Sequence, residues 1–196
     1  MPETLRLFVA VELDEDVRQA LAALQAELRR RGLAELRWVR PEGVHLTLKF
    51  LGETPADKLP AIQEALAAAV AGIAPHRLRL GPLGTFGNRR GPQVLWVDLE
   101  GDAATLARLQ RRIDEALAPL GFAREKREFA PHLTLARVRP QSARAAGRVC
   151  ADVLPQMRPS EREVEVSEVS LMRSTLGPGG AVYERLATFP LADALE

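Results

Sequence analysis

The sequence contains one short motif twice, the tetrad His-Leu-Thr-Leu at residues 45–48 and again at residues 132–135. Successive side chains of an extended strand point to opposite faces, so the histidine and threonine of each copy share one face and the leucines share the other. Each copy therefore predicts a strand whose leucines lie in a core and whose imidazole and hydroxyl lie together on the opposite face. The candidate site residues selected by this pattern are His45, Thr47, His132 and Thr134.

Chance and a purely structural role are the alternatives to a functional repeat. A lone histidine two residues before a threonine is most often a partly buried strand residue without chemistry. Given the first copy, the other three letters recur behind a second histidine by chance with a probability on the order of one in a thousand at average residue usage. The repeat therefore indicates either a shared function or a duplicated strand that serves structure alone.

Hydrophobic periodicity along the rest of the chain predicts an α+β fold. Alternating apolar residues predict strands at residues 5–13, 36–39, 44–51, 78–80, 94–99, around 132–135, at 164–172 and at 182–189. Apolar residues at helical spacing predict helices at residues 14–31, 56–71, 102–121 and 143–154. Glycine and proline are frequent in residues 81–92, which favours a loop or a long hairpin connection there.

The predicted elements occur in the same order in both halves of the chain, namely strand, helix, tetrad strand, helix and strand. Leu24-Gln25 and Leu109-Gln110 occupy matching places in the first helix of each half. This self-similarity predicts an internal duplication. We expect one bilobal catalytic domain over residues 1–196, with two pseudo-twofold-related lobes. Each lobe would have an antiparallel sheet with helices on its outer face, and one imidazole from each lobe would face a central cleft.

Composition excludes several classes of protein and site. The formal net charge of +1 argues against a protein that holds nucleic acid mainly through a bulk positive field. Cys150 is the only cysteine, so an intramolecular disulfide and a cysteine-rich metal site are excluded. The sequence lacks a signal peptide pattern and a membrane-spanning apolar run, so we expect no membrane partner and a cytoplasmic location.

Two imidazoles on opposite sides of a cleft suit a reaction that needs one base and one acid near neutral pH. Phosphodiester hydrolysis is such a reaction, because one imidazole can take a proton from water while the other gives a proton to the departing oxygen. The threonine hydroxyls can hydrogen-bond the non-bridging oxygens. Two histidines without paired carboxylates or cysteines form a poor ligand set, so neither a metal nor another cofactor is expected.

The chain resembles the two-histidine phosphoesterases in residues 6–11, 38–52 and 131–137, and the similarity extends over nearly the whole sequence. It is most similar to the bacterial and archaeal RNA 2′,3′-cyclic phosphodiesterase family, also called 2′-5′ RNA ligases. The resemblance implies a bilobal α+β fold, metal-independent hydrolysis of RNA 2′,3′-cyclic phosphates to 2′-phosphates, and a weak reverse 2′-5′ ligation. It also implies that His45 is the proton donor and His132 the proton acceptor, although the symmetric motifs alone do not assign these roles.

Three further residues are weaker candidates. Lys49 shares strand parity with His45 and could reach a phosphate, a solvated lysine being the alternative. Arg137 matches an arginine that follows the second motif of the family, but simple alternation places it on the leucine face. It contributes to phosphate binding only if the strand ends or bulges there. Phe8 lies opposite the apolar stripe of its strand and could stack on a base, with core packing as the alternative.

The expected partner is therefore RNA with a 2′,3′-cyclic phosphate end, with tRNA fragments as one candidate, and the protein is expected to be a monomer. Two alternatives stay open. One is a phosphodiesterase for a small cyclic nucleotide or an ADP-ribose cyclic phosphate. The other is a non-catalytic module that binds RNA ends.

Overall fold

The computed structural model describes residues 3–192, which form two antiparallel sheets and four α-helices. The strands are β1 (Thr4–Glu12), β2 (Arg37–Trp38), β3 (His45–Pro55), β4 (His76–Asn88), β5 (Gly91–Gly101), β6 (His132–Arg137), β7 (Glu163–Val166), β8 (Glu168–Gly177) and β9 (Gly180–Pro190). The helices are α1 (Glu15–Leu28), α2 (Leu59–Val70), α3 (Ala103–Leu117) and α4 (Ala143–Val153). The predicted α+β class is confirmed.

Each sheet contains one of the two tetrad strands. The four-stranded sheet has the strand order β3-β1-β8-β9, and β3 with the first tetrad is its edge strand. The five-stranded sheet has the order β2-β6-β5-β4-β7, and β6 with the second tetrad lies between β2 and β5. Because β3 and β6 also contact each other, the two tetrads lie on neighbouring strands of different sheets.

Three α-helices begin within one residue of the predicted start, and α2 begins at Leu59, three residues after its predicted start. Asp14 caps α1, since its Oδ1 accepts a hydrogen bond of 2.9 Å from the amide of Val17. Asp102 caps α3 in the same way, with a 3.1 Å bond from the amide of Thr105. Such caps satisfy amides that have no partner inside the helix. None of the helices within residues 3–192 is long and apolar enough to cross a membrane.

One predicted strand is divided in the structure. The single strand predicted over 164–172 is divided at Ser167, because β7 pairs with β4 in the five-stranded sheet whereas β8 pairs with β1 in the four-stranded sheet. The apolar alternation shifts phase between Val166 and Val169, which is the sequence signal of this break. Residues 81–92 form a long hairpin, one of the two predicted alternatives, with a register irregularity between Leu80 and Leu83.

The leucines of both tetrads belong to one continuous hydrophobic core. They are at most 3% exposed, namely Leu46, Leu48, Leu133 and Leu135. This burial confirms the prediction for the apolar face of each tetrad strand. The imidazole and hydroxyl side chains are consequently directed away from the core.

Candidate active site

The four polar side chains of the tetrads lie on the same kind of face, the polar side of β3 and of β6. His45 and Thr47 are partly exposed, and so are His132 and Thr134. Thr47 is opposite Ala10 of β1, and Thr134 holds the equivalent position on β6. The predicted alternation is therefore confirmed in both copies.

Both imidazoles are fixed by the same backbone hydrogen bond. Nδ1 of His45 lies 2.8 Å from the carbonyl oxygen of Gly43, and Nδ1 of His132 lies 2.8 Å from that of Ala130. A carbonyl oxygen only accepts, so Nδ1 is the protonated nitrogen in both rings. Each neutral ring therefore presents the lone pair of Nε2 on the polar side of its strand, where it can accept or donate a proton.

Aromatic rings enclose His45. Phe8 stacks on the imidazole with ring centroids 4.6 Å apart, and Tyr183 meets it edge-on at 5.1 Å. Phe8 is 3% exposed because β1 is an inner strand whose polar face is covered by the side chains of its neighbours. The predicted role of Phe8 in base stacking is therefore wrong, since the ring supports His45 instead.

Burial among these rings lowers the pKa of His45 below its ordinary value. The hydrogen bond to Gly43 and the negative charge of Glu12 act in the opposite direction. Glu12 is opposite His45 in the β1–β3 register and accepts hydrogen bonds from Ser170 Oγ at 2.8 Å and from Arg185 Nε at 2.6 Å. The carboxylate is thus held beside the imidazole, where it stabilises the protonated ring.

We expect Glu12→Gln to lower the pKa of His45 further. The substitution removes the negative charge, so the imidazolium loses a favourable interaction and releases its proton at lower pH. The measurement is an NMR titration of the imidazole in wild type and variant. Glu53→Gln is the control, because Glu53 is an exposed carboxylate further along β3. An unchanged His45 titration in Glu12→Gln would contradict the assigned electrostatic role.

A second aromatic group surrounds His132. Phe86 contacts its ring edge-on at 4.9 Å, and Trp96 lies 5.0 Å from Phe86. A Cβ atom at Gly84 would lie 2.3 Å from the indole of Trp96, so glycine is required for this ring to lie against β4. Phe86 and Trp96 lie outside the repeated tetrads and so were not among the predicted site residues. The sequence signal for this aromatic group is a glycine in one strand, Gly84, that pairs with an aromatic residue in the next strand, Trp96.

Both tetrad strands contain a β-bulge at the same place. Thr47 pairs with Ala10 and Lys49 with Val9, so Leu48 has no partner on β1. In β6 the equivalent residue, Leu135, likewise has no partner on β5. An extra residue reverses the alternation of side chains beyond it. The residues that follow each tetrad therefore lie on faces that the simple pattern does not predict.

The bulge in β3 moves Lys49 to the core side of the sheet. Its side chain is 7% exposed and forms an ion pair with Asp114 of α3, and its Nζ donates a 2.8 Å hydrogen bond to the carbonyl oxygen of Ala123. The predicted phosphate contact of Lys49 is therefore wrong, because a bulge reverses its parity. Phe50 takes the place on the His45 face and is 70% exposed.

The bulge in β6 has the opposite effect on Arg137. Arg137 pairs with Val94, two residues before Trp96 on β5, and so shares the face of His132 and Thr134. Its side chain is exposed. Arg137 was predicted to reach the site only if its strand ends or bulges, and β6 does bulge at Leu135. Its contact with phosphate stays a prediction.

The tetrad residues do not form a metal centre within the described part of the chain. Residues 3–192 contain no group of three or more histidine, cysteine, aspartate or glutamate side chains placed to hold a metal ion. A cavity of about 840 Å³ lies between α4 and the β4–β5 hairpin, and is lined by residues such as Leu83, Gly147 and Cys150. Neither tetrad histidine lines this cavity.

The chain is similar to known proteins over most of its length. The family model of the 2′-5′ RNA ligase superfamily matches residues 20–178 of this chain. A protein of Methanothermobacter thermautotrophicus named RNA 2′,3′-cyclic phosphodiesterase is 34% identical over 188 residues, covering 95% of this chain and 99% of that protein. A protein of the same name from Geobacillus stearothermophilus is 35% identical, but the match covers 57% of its length.

The fold also has a close counterpart among solved structures. The crystal structure of a protein of Thermus thermophilus superimposes with a TM-score of 0.75 at 32% sequence identity, covering 96% of this chain and 99% of that one. Sequence and fold agree over almost the full length of the chain. The protein therefore belongs to the 2′-5′ RNA ligase superfamily, and within it to the family of RNA 2′,3′-cyclic phosphodiesterases.

Proposed function

We propose that this protein hydrolyses RNA 2′,3′-cyclic phosphate ends to 2′-phosphates, without a metal, and that it catalyses the reverse 2′-5′ joining reaction weakly. The observation that carries the proposal is the pair of matching imidazoles, each fixed at Nδ1 by a backbone carbonyl and each free at Nε2. The relatives named RNA 2′,3′-cyclic phosphodiesterase supply the substrate class. Contact between β3 and β6 supports the further proposal that both rings face one cleft.

In the proposed reaction His132 is the base and His45 is the acid. Nε2 of His132 takes a proton from water, and the oxygen of that water forms a bond to phosphorus. The bond from phosphorus to the 3′ oxygen breaks, and the departing oxygen receives the proton from Nε2 of His45. Since burial favours the neutral form of His45, the negative charges of the bound phosphate and of Glu12 would stabilise the imidazolium that this role requires.

The neighbouring polar side chains would hold the phosphate. Thr47 and Thr134 each lie two residues beyond a histidine on the same face, where their hydroxyls can donate to the non-bridging oxygens. Arg137 lies beyond Thr134 on that face and supplies a positive charge suited to a phosphate. The exposed rings of Phe50, 6.2 Å from Phe8, and of Phe86, in edge-on contact with His132, offer stacking surfaces for the bases of an RNA chain.

The repeated details support a single catalytic domain of duplicated origin. Each half has a tetrad, an Nδ1 hydrogen bond to the carbonyl two residues earlier, and a bulge at the last leucine of the tetrad. Independent strands would not be expected to share all three. A monomeric protein acting in the cytoplasm, with tRNA fragments among its substrates, completes the proposal.

The test is incubation with an oligonucleotide that ends in a 2′,3′-cyclic phosphate, in the presence of a chelator. We expect conversion to a 2′-phosphate, whose position is established by resistance to a phosphatase specific for 3′-phosphates. Binding without conversion would overturn the proposal in favour of an RNA-end-binding module. Faster turnover of a cyclic mononucleotide or of ADP-ribose cyclic phosphate would overturn the RNA assignment in favour of a small-molecule enzyme.

A further inference from the structure

Two glutamines are buried at matching positions of α1 and α3. Gln25 is 1% exposed and Gln110 is 8% exposed, and each follows a leucine on the buried side of its helix. An amide removed from water without a hydrogen bond costs free energy, so a buried glutamine is usually held by specific partners. The catalytic scheme above does not use either residue.

Each amide donates to a carbonyl oxygen of a tetrad strand, and Gln25 also donates to a carbonyl oxygen just after β2. Nε2 of Gln25 donates to the carbonyl oxygen of Leu135 at 3.1 Å and to that of Val39 at 2.8 Å. Nε2 of Gln110 donates to the carbonyl oxygen of Leu48 at 3.4 Å. Each helix thus donates a hydrogen bond, through its glutamine, to the backbone carbonyl of the last leucine of a tetrad. These are the same two leucines that form the β-bulges.

The connections cross between the two halves. Helix α1 follows β1 of the four-stranded sheet, yet its glutamine binds β6 of the five-stranded sheet. Helix α3 follows β5 of the five-stranded sheet, and its glutamine binds β3 of the four-stranded sheet. Each amide therefore fastens the strand that carries the histidine of the other half, at a point three residues beyond that histidine.

The pairing register of two strands can shift at a bulge. An extra residue has no partner in the ladder, and its position decides which side chains lie on the polar face. With the bulge at Leu48, Phe50 lies on the face of His45, and with the bulge at Leu135, Arg137 lies on the face of His132. A hydrogen bond from a buried side chain to the bulged carbonyl keeps the extra residue at that place.

We infer that Gln25 and Gln110 are positioning residues of the active site, each fixing the bulge that aligns the tetrad of the opposite half. This inference rests on the proposed function, because the alignment matters for a reaction that needs both imidazoles at one phosphorus. Neither glutamine touches the substrate. Each acts through the backbone of the tetrad strand.

The test compares Gln25→Met and Gln110→Met with the wild type on the oligonucleotide that ends in a cyclic phosphate. Methionine keeps the length of the side chain but cannot donate the hydrogen bond. We expect kcat to fall by about tenfold to a hundredfold, since a small misplacement of reacting groups has effects of that size. KM should change by less than about twofold in Gln110→Met and by more in Gln25→Met, because only the bulge at Leu135 sets the face of Arg137.

An NMR measurement gives a second outcome that a merely structural role would not produce. Because the connections cross, Gln110→Met should shift the imidazole signals of His45, and Gln25→Met those of His132. If Gln25→Met does not fold, Gln25→Asn serves the same test with an amide too short to reach. Signals that move only in the histidine of the same half would overturn the inference.

Two control variants separate an effect on the position of the catalytic groups from an effect on the stability of the fold. Val153→Ala lowers stability in α4, away from both bulges, and should leave kcat unchanged. Gln156→Met makes the same substitution at an exposed site. Wild-type kcat in both buried glutamine variants, with the wild type active, would overturn this inference alone. A wild-type protein that leaves the cyclic phosphate intact would overturn the proposed function and this inference together.

Discussion

We expect His45→Ala and His132→Ala each to lower kcat for hydrolysis of the cyclic phosphate by about 10² to 10⁴, the usual contribution of a general acid or base. Each variant removes the ring nitrogen placed to exchange a proton on its side of the phosphate. KM should change less than kcat, because Thr47, Thr134 and Arg137 are unaltered. The measurement is steady-state turnover of an oligonucleotide with a cyclic end.

Loss of activity must be separated from loss of the fold. Both imidazoles are partly exposed on the polar face, so alanine leaves the leucine core in place. The third histidine provides the control, because His76 is 8% exposed and lies on β4 outside the tetrads. His76→Ala should reduce stability while kcat is retained. Wild-type turnover in either tetrad variant would contradict the assignment of an acid and a base.

The double variant His45→Ala/His132→Ala should be little less active than either single variant. Acid and base act on the same transition state, so removing the second group from an already impaired site costs less than removing the first. A multiplicative loss would instead indicate two groups that act independently.

Strand periodicity was enough to predict both tetrad faces, because a half-buried strand must alternate and leucine marks the buried side. It was also enough for the helix starts at Asp14 and Asp102, where a capping aspartate precedes an apolar stripe. These features depend on neighbours in the sequence. The α+β class followed from their order along the chain.

Features set by distant contacts were not predictable in this way. The parity of Lys49 and Arg137 depends on bulges in the pairing of β3 with β1 and of β6 with β5. A bulge has no fixed sequence signal, so alternation alone placed Lys49 on the wrong face. The burial of Phe8 depends on the order of strands in the four-stranded sheet, which brings His45 and Tyr183 over its ring.

The buried pair formed by Lys49 and Asp114 should be the electrostatic interaction with the largest effect on stability. The two side chains are 7% and 8% exposed, and Asp114 also accepts a hydrogen bond of 3.1 Å from the amide of Glu125. We expect Asp114→Ala to lower the free energy of unfolding by about 3 to 5 kcal/mol, because it leaves the ammonium group of Lys49 buried without its partner. Urea denaturation followed by circular dichroism measures this change.

A matched surface pair and a double variant complete this experiment. Arg79 and Glu100 form an ion pair of 3.2 Å with side chains 59% and 42% exposed, so Glu100→Ala should cost at most about 1 kcal/mol. The double variant Lys49→Met/Asp114→Leu should recover most of the lost stability, because apolar side chains can fill the space that a buried ion pair occupies. A loss below about 1 kcal/mol in Asp114→Ala would mean that water reaches Lys49 Nζ. In that case the bulge in β3 would have moved the Lys49 side chain to a second solvated face of the sheet and not into the core.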